Sequence, residues 1–130
     1  MKLNEKKTKS MIFNFSKQYQ FTTKLSVNGI NLDMPKEVKL LGTILTNDLK
    51  WDRNTEELVK KANKRMQLLY KASNFTTSKK DLKDIYVTFV RNILESSSVV
   101  WHSSLTKNNS IALERVQKMA ARVIMGSKYE

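Results

Sequence analysis

Residues Val38–Trp51 read VKLLGTILTNDLKW, and the fold turns on them. Val38–Leu45 is the most apolar β-favouring run in the chain, interrupted only by Gly42. A glycine inside a strand marks either a bulge or a close backbone approach, and both readings stay open here. The polar corner around Asp48 then gives way to Trp51, which opens a long basic helix. Short strands are expected before this stretch and helices after it.

Upstream, Leu3–Lys9 is a polar, lysine-rich entry, and Met11–Phe15 (MIFNF) alternates as a short strand would. Tyr19–Val27 is rich in β-favouring residues. Asn28-Gly29 then supplies the positive-φ pair of a two-residue hairpin, with Ile30–Met34 returning and Pro35 ending the ladder. Downstream the period changes. Leu58, Ala62, Met66 and Leu69 share one helical arc, with Asn54 or Thr55 as the expected N-cap and an end near Ser73. Lys60, Lys64 and Lys71 fall on the opposite arc, with Lys61 and Arg65 beside them.

Thr77 or Ser78 is placed to cap a second helix, in which Leu82, Ile85, Tyr86, Phe89, Val90, Ile93 and Leu94 form one stripe. After a short apolar patch, Val99–Trp101, and a loop over Thr106–Asn109, Ser110 is expected to cap a third helix. Its inward row is Leu113, Val116, Ala120 and Val123, with Arg115, Lys118 and Arg122 on its other face and Gly126 as its stop. The predicted class is therefore α+β: short antiparallel strands with a hairpin, followed by a bundle of about three helices. The expected core is Ile12, Phe15, Val27, Val38, Leu41, Ile44, Leu58, Met66, Leu69, Ile85, Phe89, Val90, Ile93, Val116, Ala120 and Val123.

Charge narrows the function. Lys and Arg number 24 against 12 acids, a net +12 with a pI near 10.0. Such an excess favours a polyanion through counterion release and steering. With no cysteine there is no disulfide or thiolate metal site, and His102, the only histidine, has no ligand-type neighbour at metal spacing. Neither a secretory signal nor a membrane span is legible, so an intracellular location, nuclear or cytoplasmic, and no membrane partner are expected. Phosphate contacts need cations on a rigid element, which nominates the outer faces of the first and third helices. Those cations are expected to make one positive side of the bundle. Trp51 and Trp101 are read as packing rather than as base-stacking platforms.

Taken in order, LN-x-x-KTK-x-M-x-F, VKLLGTILTNDLKW, KKANKRMQLLYK, DIYVTFVRNILE with VVWH, and LERVQKMAARVIMG resemble one region of LINE-type (non-LTR) retrotransposon reverse transcriptases, jockey and CR1-like. The resemblance covers Leu3 to Gly126. It implies that residues 1–50 are a palm remnant with the primer-grip strands, and that residues 51–130 are the helical thumb. Lys7 would stand at the motif D lysine, a proposed proton donor to pyrophosphate, and Leu41-Gly42 at the primer-grip hairpin. Lys60, Lys61, Lys64, Lys71, Arg115, Lys118 and Arg122 would lie along an RNA–DNA or DNA template–primer duplex. Asn54, Asn92 and Ser96 depart from residues common in that family.

The family's paired catalytic aspartates are not in this sequence; residues 33, 48, 52, 81 and 84 are its aspartates and no two adjoin on a strand. Two-metal nucleotidyl transfer needs such carboxylates. The chain is thus expected to be no enzyme by itself and to carry no cofactor, with Mg2+ and the missing palm and fingers belonging to a parent polymerase. Two other readings stand beside this one: a stand-alone basic RNA- or DNA-binding module, and a non-functional element relic.

Overall fold

Asn28 and Gly29 have φ of 51° and 78° in the computed structural model, which describes residues 2–75 and 78–126. Positive φ at both positions is the condition for a type I′ turn, and it joins β1 (Ser26–Val27) to β2 (Ile30–Asn31) with Val27 opposite Ile30. The same device recurs at Leu41 (φ 48°) and Gly42 (φ 83°). There it joins β3 (Glu37–Leu40) to β4 (Thr43–Thr46) in an antiparallel pair that runs from Glu37 opposite Thr46 to Leu40 opposite Thr43. Val38–Leu45 is therefore two strands and a turn, not one strand with a bulge. Gly42 reverses the chain.

These hairpins lie in the first of two compact units, Met1–Lys50 and Trp51–Glu130. Two expected strands are corrected. Met11–Phe15 is not a strand, and of Tyr19–Val27 only the last two residues are. Local polar groups account for the first: the Asn14 carboxamide accepts from Ser16 N–H at 2.9 Å, and the Ser16 hydroxyl from Gln18 N–H at 3.2 Å. Such side-chain bonds compete with a β-ladder for the backbone. Of the core expected here, Phe15 is 70% and Leu41 93% exposed, while Ile12, Val27, Val38 and Ile44 are half-buried. Thr43 is the one buried side chain among the described residues of this unit.

Helices make up the second unit. α1 (Asp52–Phe75) begins two residues before the expected cap, with Thr55 N–H donating to the Trp51 carbonyl at 2.8 Å. Asn54 and Thr55 consequently sit inside the first turn and are buried. Ser78 caps α2 (Lys79–Ile85) by accepting from Asp81 N–H at 3.4 Å; Thr77 lies outside the described residues. The helix then widens through a π-helical stretch, Tyr86–Arg91, before α3 (Asn92–Leu94).

That widening corrects the predicted stripe. One extra residue per turn slips the phase by about 100°. Phe89 is thereby turned out, at 42% exposure, while Val90 and Leu94 turn fully inward. Ser97, at φ 55°, redirects the chain into α4 (Ser98–Trp101), so the apolar patch is a helical turn that buries Trp101 and leaves Val99 and Val100 exposed. A 3-10 turn, His102–Ser104, follows. α5 (Lys107–Met125) is capped by Thr106, which accepts from Asn109 N–H at 3.3 Å, rather than by Ser110, so the expected loop is the helix's first turn. Gly126, at φ 71°, ends it.

The core joins Ala62, Met66 and Leu69 of α1 to Leu82, Val90, Leu94, Val116 and Ala120. Leu58 is also buried, while Ile85, Ile93 and Val123 are partly covered. Each buried Leu, Met or Val contributes about 1.5–3 kcal/mol relative to exposure. Since no large apolar residue described in the first unit is fully buried, the hydrophobic stabilisation of the chain resides in the helices.

Candidate nucleic-acid interface

The buried row Leu58, Ala62, Met66 and Leu69 fixes the rotation of α1. At about 100° per residue, Lys60, Lys64 and Lys71 fall within roughly 20° of the line diametrically opposite that row. All three are exposed, and none is in an ion pair among the described residues. At about 1.5 Å rise per residue, Lys60 and Lys71 are roughly 16 Å apart along the axis. One strand of a duplex presents a phosphate every ~3.4 Å of its axis, so the band spans about five of them.

Two further cations on α1 are compromised. Lys61 lies on the flank, half-buried, with its ammonium 3.7 Å from Glu57. Arg53 falls on the line of the lysine band but pairs with Glu56 at 2.6 Å. A helix that starts at Asn54 or Thr55, as the sequence suggests, leaves Arg53 outside it, so the sequence does not point to this cation. Asp52, a carboxylate suited to a first helical turn, was the available signal.

On α5 the buried residues Val116 and Ala120 place Arg115, Lys118 and Arg122 on an exposed arc. Lys118 pairs with Glu114 at 3.5 Å, while Arg115 and Arg122 have no ion pair among the described residues. The rows behind the two bands meet in the same core. The cations form one band on α1 and one on α5, each on the side of its helix away from its buried row.

In the first unit, Leu41 and Gly42 form the tip of the β3–β4 hairpin. Leu41 is 93% exposed and no atom lies within 4 Å of the position a Gly42 Cβ would take, so the tip projects freely. Lys7 is exposed in a turn in which the Asn4 carbonyl accepts from Lys7 N–H and Thr8 N–H, both at 3.0 Å. A short network braces the approach to Lys50: the Thr46 hydroxyl donates to the Asp48 carboxylate at 2.6 Å, and Lys50 N–H donates to the same oxygen at 3.1 Å. These bonds, the hydroxyl's first, hold the Asp48 carboxyl below the ordinary aspartate range.

Both tryptophans are withdrawn from solvent. Trp51 is 8% exposed and Trp101 1%, the latter with its indole N–H donating to the Ser96 carbonyl at 3.0 Å. Neither offers a face for stacking. His102 is exposed, its ring 6.4 Å from that of Trp101. Among the described residues no three His, Cys, Asp or Glu side chains form a group that could hold a metal ion. No described helix is long and apolar enough to cross a membrane.

What this arrangement can do chemically is bind a polyanion along rigid helical bands, by charge and shape rather than by reading bases. Compared with family models, with curated proteins and with solved structures, the chain finds no match.

Proposed function

We propose that the chain is the primer-grip and thumb portion of a LINE-type reverse transcriptase, a template–primer-binding fragment without self-sufficient catalysis. The observation that carries this reading is the band of Lys60, Lys64 and Lys71, exposed and without ion pairs among the described residues on the face of α1 opposite the core. The helix has already fixed the backbone beneath each lysine, so only side-chain rotamer freedom remains to be lost when an ammonium meets a phosphate. Two features support the family over a generic basic module. The KLLGTIL segment forms a tight hairpin with Leu41-Gly42 at its tip, as a primer grip requires. The first unit leaves Phe15, Phe21, Leu25 and Leu40 more than half exposed, as expected of a segment that belongs against a larger body such as a polymerase palm.

A thumb grips paired strands, so an RNA–DNA hybrid with a recessed 3′ end should bind the full chain more tightly than either single strand, and binding should weaken steeply with salt. A single-stranded preference would favour the stand-alone module. Absence of binding at moderate salt would favour the relic.

A further inference from the structure

Between the π-helical stretch Tyr86–Arg91 and the C-terminal half of α5 lies a groove of about 260 Å3. Its apolar lining includes Tyr86, Val87, Ile124 and Met125, its cations are Lys83 and Arg91, and among the described residues no carboxylate lines it. Tyr86, Val87 and Ile124 are half-buried and Met125 is 43% exposed, so the apolar strip is open to a partner. Burial raises the Tyr86 phenol above its ordinary value, in keeping with dry surroundings. Tyr86, Val87 and Arg91 of the π stretch form one wall of this groove and Gln117, Ala121, Ile124 and Met125 of α5 the other.

We propose that this groove docks an amphipathic helical segment of another protein, with apolar side chains seated between the π stretch and α5 and carboxylates directed at Lys83. Duplex nucleic acid would meet the cations but has no apolar side chains to fill the strip. A second copy of this chain would bring the same +12 charge and the same cations. Arg91 is already engaged by Glu95 at 2.6 Å, which leaves Lys83, in no ion pair among the described residues, as the charge that selects the partner. This docking is independent of the polymerase reading, since it uses neither lysine band.

The test uses the full chain and a labelled peptide of ~14 residues, with Leu at i, i+3, i+4 and i+7 spacing and Glu on the flanks. Two control peptides replace every Glu by Lys, or every Leu by Ser. Fluorescence anisotropy should show the Leu/Glu peptide binding at least about tenfold more tightly than either control, and Lys83→Glu and Met125→Glu should each weaken it about fivefold or more. The combined change Lys60→Gln, Lys64→Gln and Lys71→Gln should leave it unaffected. Lys83 and Met125 are both exposed, so either variant that keeps its helical circular dichroism decides the matter. The proposal is overturned if the Leu/Glu peptide fails to saturate by about 100 μM. It is equally overturned if the folded variants bind it like the parent, or if a duplex oligonucleotide displaces it completely, which would assign the groove's cations to nucleic acid.

Discussion

Replacing Lys60, Lys64 and Lys71 together by Gln puts the largest number on the lysine band of α1. None of the three touches the core or an ion-pair partner among the described residues, and Gln and Lys have nearly equal helix propensities. Stability should therefore stay within about 0.5 kcal/mol of the parent. Each lysine that neutralises a phosphate adds about −0.9 to the slope of log K against log salt, so losing three should flatten the slope by up to ~2.7. One decade below the molar reference, at ~0.1 M salt, the same figure corresponds to a loss of up to ~500-fold in affinity, shrinking to roughly 25-fold near 0.3 M.

Anisotropy of a labelled RNA–DNA hybrid, titrated at several salt concentrations, reads slope and affinity together. Gln at Arg115, Lys118 and Arg122 should flatten the slope by less, because Lys118 is already shared with Glu114. A folded α1 variant with both slope and affinity unchanged would refute the reasoning, since a band that neutralises no phosphate cannot be the interface.

Gly42→Ala should destabilise the β3–β4 hairpin by about 1–2 kcal/mol through the left-handed conformation alone, as no atom crowds the new Cβ; faster amide exchange confined to β3 and β4 is the readout, and unchanged protection would count against it. Thr55→Val should be neutral or stabilise the helical unit by about 1 kcal/mol, because the Thr55 hydroxyl is buried without a hydrogen-bond partner among the described residues; a lower urea midpoint would show that the hydroxyl has a partner after all. Asp48 titrates lower when folded than when unfolded, so the unfolded chain binds more protons in the acid range. Its contribution is complete above the unfolded value and lost as pH falls through the folded one. Thr46→Val should move the Asp48 carboxyl resonance back towards the ordinary value, and an unmoved titration would place the cause elsewhere.

The helical half shows how far periodicity reaches. Leu58, Met66, Leu69, Val116 and Ala120 repeat at helical spacing and are buried as that spacing predicts, because on a regular helix position along the chain is position around the axis. Regularity is also the limit. The π stretch inserts one residue's worth of rotation between Leu82 and Val90, so Phe89 leaves the core although its spacing is correct. That choice depends on how Val90 and Leu94 fit against α1, which no local pattern encodes. Caps depend on neighbours in the same way. Ser110 and Thr106 are chemically equivalent acceptors, and the turn that begins at Thr106 is tied to α1 by the Asn109 carboxamide, which donates to the Asp52 carboxylate at 2.8 Å.

Among the strands, Asn28-Gly29 was legible because its chemistry is local: two residues that tolerate positive φ define the turn by themselves. Leu41-Gly42 is legible as a turn only through the family resemblance and not from its local chemistry, since leucine at φ 48° is unfavourable alone and is imposed by the pairing of Glu37 with Thr46 and Leu40 with Thr43. The candidate site divides along the same line. Sequence by itself determined that Lys60, Lys64 and Lys71 share the face of α1 opposite its buried row, because both follow from a single rotation per residue. Only the tertiary structure decided which side chains close the core behind these faces: Val90 and Leu94 turn inward and Phe89 outward, because the π stretch resets the phase of the helix.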